Sequence, residues 1–184
     1  MIPFILLLVF NAVNFGYFYY VALNMSAATR SGALYAILGP DTPTNTATAF
    51  TTTFAPAVST TNCVGAVDCT VQNILYQDMA GSLPSASTNA SVQICTQSLG
   101  TTGTGASLKA NCTSAGPATF TTAAPSDPEA ATTNFVLHQV DVIYTFTPLI
   151  PTTAFGAILL ATPTCTSTGT ITCTFHRKVL MRAM

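Results

Sequence analysis

The sequence predicts an α+β protein, in which a long hydrophobic N-terminal α-helix precedes a small, disulfide-stapled, antiparallel β-rich domain. Three observations predict it. The first charge in the 184-residue chain is Arg30, so the chain opens on an uncharged apolar run. Period-two alternation of apolar residues recurs only well after that run, most clearly over Asn134–Thr147 and Ile171–Met181. Six cysteines, an even number, all lie beyond residue 62. One helix followed by strands, without repeated βαβ units, is an α+β order.

Composition narrows the function classes. Charged residues make up 6 % of the chain and the net charge is −1, against a usual charged quarter or so. Nucleic-acid binding is excluded as a reading, because it rests on Lys and Arg neutralising phosphates. A highly soluble cytosolic monomer normally has a mixed charged surface, which this chain cannot build. Disorder is excluded too, since 49 % of residues are hydrophobic. A membrane-attached or self-assembling protein remains. The 33 threonines suit β-structure and uncharged exterior surfaces.

The predicted helix covers residues 2–38, within an N-terminal segment 1–38. Residues 1–28 are long enough as helix to cross a bilayer core, which needs roughly 20 apolar residues. Their clearly polar members are Asn11, Asn14, Asn24 and Ser26, and Asn11 and Asn14 share a face at i, i+3. With Ala12 and Gly16 they are candidates for helix–helix contact, since helices in lipid meet through small and polar residues. Tyr17, Phe18, Tyr19 and Tyr20 form an aromatic cluster of the kind found at a membrane–water boundary. Helical residues continue to Leu38, where Gly39-Pro40 stops them. At 1.5 Å per residue the helix is about 55 Å long, more than a membrane thickness. Its C-terminal third is therefore expected to pack on something outside lipid. A cleavable signal peptide is the alternative: Ser26-Ala27-Ala28 offers small residues, but the segment lacks a basic start and exceeds a usual h-region.

Residues 39–62 read as a Thr/Pro-rich linker, and 63–184 as the exterior domain. Val71, Ile74, Leu75 and Asp78 follow i, i+3, i+4, i+7 and predict a short amphipathic helix over 67–80. Ser91–Gln97 alternates and predicts a strand. Gly100–Gly105 reads as a turn, followed by loops and a strand at Ala118–Thr122. In Asn134–Thr147 one face carries Val136, His138, Val140, Val142, Tyr144 and Phe146, and the other is half polar. Pro151–Ala161 is an apolar piece expected to cover the sheet as a short helix or loop. In Ile171–Met181, Ile171, Cys173, Phe175, Val179 and Met181 form the apolar face.

Cys63, Cys69, Cys95, Cys112, Cys165 and Cys173 suit disulfides in an oxidising compartment. Nearest-neighbour pairing predicts Cys63–Cys69, Cys95–Cys112 and Cys165–Cys173. No C-x-x-C knuckle occurs, so a zinc site is the weaker reading. Arg30, just past the apolar run, pulls that side toward the cytoplasm by the positive-inside rule; the cysteines outweigh a single Arg. Catalytic patterns are missing: no G-x-S-x-G, H-E-x-x-H, Walker loop or dinucleotide fingerprint occurs. The six carboxylates are scattered. His138, on an apolar strand face, reads as a hydrogen-bonded structural histidine, and His176, beside Arg177 and Lys178, as a surface residue. The chain is not expected to be an enzyme or to need a cofactor or metal.

Two segments resemble the TadE-like family, pilin-like proteins of tight-adherence pilus systems. The first runs from Ile2-Pro3-Phe4-Ile5-Leu6-Leu7-Leu8, through Asn14-Phe15-Gly16, to Ala28-Thr29-Arg30-Ser31-Gly32-Ala33. The second is Val140–Phe146 with its exit Thr147-Pro148-Leu149-Ile150-Pro151. The family shows a proline opening an apolar helix, a polar-Phe-Gly step, a small-residue Ala-Arg-x-Gly-Ala patch, and a late strand ending in an aromatic-x-Pro-Leu-x-Pro turn. Asn14 stands where the family often has Glu, and the leader and the Glu that precede the proline in family precursors are not seen before Pro3. The match covers about the first 38 and last 50 residues.

The resemblance implies a pilin-like fold and marks Pro3, Leu7, Asn11, Asn14, Phe15, Gly16, Arg30 and Gly32 as the assembly helix. It implies a helical homopolymer of this chain, held in the inner membrane before assembly and then displayed as an extracellular filament, and a Tad-type pilus assembly machinery as partner. A minor pilin that primes or tips a pilus, and a single-pass membrane-anchored adhesin or binding domain, are the alternatives. Physics agrees with the first: burying some twenty apolar side chains at roughly 25 cal/mol per Å² favours a helix bundle strongly over water. Translational repetition of one contact makes an open helical polymer.

Overall fold

A computed structural model describes residues 2–38, 66–80, 83, 86–121, 124–126, 136–150, 165–167 and 171–182. The first element is α1 (Ile2–Leu38), one uninterrupted helix of 37 residues. Pro3 sits in its first turn, where a missing N–H costs no hydrogen bond. Then follow α2 (Ala66–Ala80), the single turn α3 (Ala86–Asn89), and five strands: β1 (Ala90–Thr102), β2 (Lys109–Ala115), β3 (Leu137–Phe146), β4 (Cys165–Ser167) and β5 (Ile171–Arg182). They form one sheet in the order β2-β1-β3-β5-β4, with every neighbouring pair antiparallel. The expected linker 39–62, the apolar piece 151–161 and Cys63, with its expected bond to Cys69, lie outside the described residues.

The core lies between the helices and one face of the sheet. Val92 and Ile94 of β1, Val140, Val142, Tyr144 and Phe146 of β3, and Cys173 and Phe175 of β5 meet Val21, Met25, Ala28, Ala33 and Ala36 of α1 and Val71, Leu75 and Met79 of α2. The predicted periodicities appear as burial: Val71, Ile74 and Leu75 point inward and Asp78 outward. The small residues on the C-terminal half of α1 let its neighbours come close. A Cβ placed on Gly32 would lie 2.6 Å from Leu75 Cδ2, so this glycine is the notch into which α2 seats its leucine.

Two strand expectations need correction. The strand expected at 118–122 is not one over its described residues 118–121. Gly116 adopts φ +104° and Pro117 follows, so the chain leaves the sheet there, and the Ala118 N–H donates to Ser91 Oγ at 2.8 Å instead of to a ladder. The missed partner of β1 is β2, whose Lys109, Asn111, Thr113 and Ser114 carry no apolar alternation because it is an edge strand. Of the turn expected at Gly100–Gly105, Gly100–Thr102 belong to β1, and residues 103–108 join the two strands. Gly103 has φ +93° there, and a Cβ on it would fall 2.3 Å from the Ser107 carbonyl oxygen, so only glycine fits. Val136 precedes β3 and joins a small second cluster with Cys95, Ala110 and Ala124, not the face of Val140.

Disulfides join Cys95 to Cys112 and Cys165 to Cys173. Each links residues directly opposite in register, β1 to β2 and β4 to β5, so each pins an edge strand to the sheet.

Candidate functional site

The candidate site is α1, and the fold divides its singled-out residues between two faces. Asn11, Asn14, Val21, Met25, Ala28, Thr29, Gly32, Ala33 and Ala36 are buried by the protein's own domain. These positions recur at three- and four-residue spacing, one continuous stripe. Packing thus begins at Asn11. The sequence led us to expect it only in the C-terminal third, so the expected bilayer span and the domain's own packing overlap over residues 11–28. Residues 3–9 are all exposed.

Asn14 explains why packing starts so early. Its Nδ2 donates to the Ile150 carbonyl and its Oδ1 accepts the Ile150 N–H, both at 3.2 Å. Swapping the amide O and N would set donor against donor and acceptor against acceptor, so the pair assigns the orientation. The bond connects the Asn14-Phe15-Gly16 step to the turn after β3, the two segments singled out in sequence, across 136 residues. Asn11 turns the same way, with Nδ2 on the Leu7 carbonyl at 2.8 Å. Both asparagines are buried within the subunit, Asn14 through its bonds to Ile150 and Asn11 with only its own helix as a hydrogen-bond partner among the described residues. Nothing in the sequence marks Ile150 as the partner, because the link is made by its backbone.

The aromatic cluster is also divided. Phe18 lies 4.7 Å from the Phe175 ring and Tyr17 5.2 Å from that of Phe146, centroid to centroid, both docking the helix on the sheet. Tyr19 and Tyr20 point outward with Phe15. At the far end, His138 Nδ1 is 2.9 Å from the Ala36 carbonyl, and Nε2 accepts the Gln97 N–H at 3.3 Å. A carbonyl can only accept, so Nδ1 carries the proton and the ring is a neutral structural tie.

The outer face of α1 is covered by none of the described residues. Ile5, Val9, Ala12, Gly16, Tyr19 and Leu23 are exposed and follow one another at alternating intervals of four and three, the repeat of a helix–helix seam. Phe4 and Phe15 flank it, and Phe4 is 66 % exposed; Leu7 lies on the other side of the helix, above Asn11 and Asn14, and is 39 % exposed. Gly16 sits in this seam with open space where a side chain would be. Arg30, also exposed, is the first charge along the face. Polar side chains elsewhere on α1 satisfy themselves: Asn24, Ser26 and Thr29 donate to carbonyls four residues back at 2.9, 2.9 and 2.7 Å. Such internal bonds are what a helix in an apolar medium needs.

Away from the helix, Asp141 is fully buried on the opposite sheet face, and His176 Nε2 lies 2.6 Å from its Oδ1. His176 was expected as a plain surface residue; it is half-exposed and leans on this carboxylate. Burial raises the Asp141 carboxyl above its usual range, while His176 and Lys178 hold it partway down. Among the described residues no three His, Cys, Asp or Glu side chains gather to hold a metal ion.

No family model, curated protein or solved structure matches this chain.

Proposed function

We propose that the protein is a structural, pilin-like subunit that polymerises through α1 into an extracellular filament, with the membrane holding the helix before assembly. One observation carries the reading: α1 has two apolar faces, and the described residues cover only one. Twelve large apolar side chains of α1 remain at least about 40 % exposed. Finishing the burial of each contributes about 1 kcal/mol, half of the full side-chain value, or on the order of 10 kcal/mol per subunit. Water is a poor home for such a surface; lipid or neighbouring helices are good ones. The helix is long and apolar enough to cross a membrane, which suits storage there. The TadE-like resemblance supplies the same reading from the residues themselves.

Membership of a Tad-type pilus belongs to this proposal; a minor pilin that primes or tips a pilus remains the alternative. A membrane-held binding domain is the second reading, favoured by the same span. The test is negative-stain microscopy of purified chain after detergent removal. Filaments are expected, and Leu7→Lys should abolish them, because residues 3–9 are all exposed in the subunit and an unpaired charge within an apolar helix bundle costs several kcal/mol. Filaments of normal yield from Leu7→Lys would overturn the proposal, and lone subunits held in lipid discs would favour the second reading.

A further inference from the structure

We infer that Arg30 and Arg177 form a contact site for the phosphate of an anionic phospholipid at the C-terminal end of the exposed face of α1. The inference rests on the reading that a membrane holds this helix before assembly, and it names the lipid chemistry that the folded subunit selects there.

The two arginines come from distant parts of the chain. The exposed seam of α1, from Ile5 to Leu23, continues at the same alternating intervals of three and four to Ser26 and Arg30. Arg177 of β5 reaches this end of the seam across 151 residues, its Nε donating to Ser26 Oγ at 3.3 Å. One of its Nη groups donates to the His176 carbonyl, also at 3.3 Å. Ser26 and Arg30 are one helical turn apart on one face, so two positive charges share the end of the seam. Both arginines are exposed, and they are two of only five Lys and Arg in the chain. Among the described residues neither makes an ion pair; the ion pair there joins His176 to Asp141. Like charges at such a place repel one another unless an anion joins them.

The position says which anion. A second copy packed seam to seam cannot supply it, because residues 2–38 contain no Asp or Glu. A bilayer can. Exposure is graded along α1: residues 3–9 are all exposed, positions from 12 to 23 are exposed on one face, and the arginines follow. A helix that enters lipid obliquely, tip first, has this pattern. The strand edges of the domain carry backbone groups that lipid cannot satisfy, so the domain stays on the water side. The arginines then lie at the level of the headgroups, where a guanidinium meets a phosphate through paired hydrogen bonds. Basic residues beside an apolar segment favour anionic lipids.

The experiment is native mass spectrometry of the full chain, reconstituted in vesicles of equal phosphatidylcholine and phosphatidylglycerol and extracted in a mild neutral detergent, with inorganic phosphate added in a parallel arm. Adduct mass tells a bound lipid from a bound phosphate ion. Phosphatidylglycerol should be carried at least about tenfold more than phosphatidylcholine. Arg30→Gln and Arg177→Gln should each cut that ratio about fivefold, the worth of one basic residue near a membrane surface. Lys109→Ala, which removes a charge from the edge strand β2, should leave it unchanged. Equal carriage of the two lipids, an unchanged ratio in either arginine variant, or replacement of the lipid by phosphate would each overturn the inference while a chain retained by the vesicles keeps the membrane-held reading. A chain that the vesicles do not retain would remove both. Both arginines are exposed, so their variants should fold, and an unchanged unfolding transition checks that they do.

Discussion

Replacing Asn14 by leucine should loosen the turn after β3 from α1 by about 2 kcal/mol. Leucine keeps the γ-branch but removes both hydrogen bonds to Ile150, each 3.2 Å long. A neutral hydrogen bond contributes about 1 kcal/mol net. Ile150 is half-buried, so water can reach its freed N–H and C=O. The loss then stays near the net value instead of rising to the larger cost of stranded polar groups. The assay is hydrogen exchange at the Ile150 amide in the micelle-held protein. A loss of 2 kcal/mol in the local opening free energy is an acceleration of roughly 30-fold. Asn24→Leu is the control, because among the described residues Asn24 bonds only its own helix, at the Tyr20 carbonyl. An Ile150 amide that exchanges equally slowly in Asn14→Leu would refute the clamp, and with it the account of why packing starts so near the N-terminus.

Two further outcomes follow from the fold. Gly32→Val should destabilise the domain by about 1–3 kcal/mol in a denaturant titration, the usual cost of overpacking, because the new side chain meets Leu75; a neutral result would mean that α2 is free to shift. Asp141 makes stability depend on pH with a definite sign. Its native carboxyl is raised above the usual value near 3.8, so its contribution is fully present below that value and is lost as pH rises through the raised native one. Melting curves should therefore fall over that interval more steeply for the wild type than for Asp141→Asn, and parallel curves would remove the argument.

Much of the architecture is legible in the sequence because it is periodic. The long uncharged run, the i, i+3, i+4, i+7 pattern at Val71–Asp78 and the alternation from His138 to Phe146 each state an element and its inward face. Opposed cysteines in antiparallel register make nearest-neighbour pairing natural for Cys95–Cys112 and Cys165–Cys173. The edge strand β2 was hidden for the converse reason: solvent on its outer side relieves it of any apolar pattern.

Residue patterning alone establishes that α1 is a helix, that it is apolar on all sides, and that a β-rich domain follows. Which side of α1 meets that domain was decided only in three dimensions. An all-round apolar helix has no preferred face in its own pattern, so the choice fell to contacts made at a distance. The Asn14 amide found the Ile150 backbone, Gly32 admitted Leu75, and His138 reached the Ala36 carbonyl. None of these partners is near in sequence, and two of the three are backbone groups that every residue carries. Their joint effect turned Asn11 and Asn14 inward and left Ile5, Val9, Ala12, Gly16, Tyr19 and Leu23 outward, because one rigid helix cannot bury opposite faces against a single sheet.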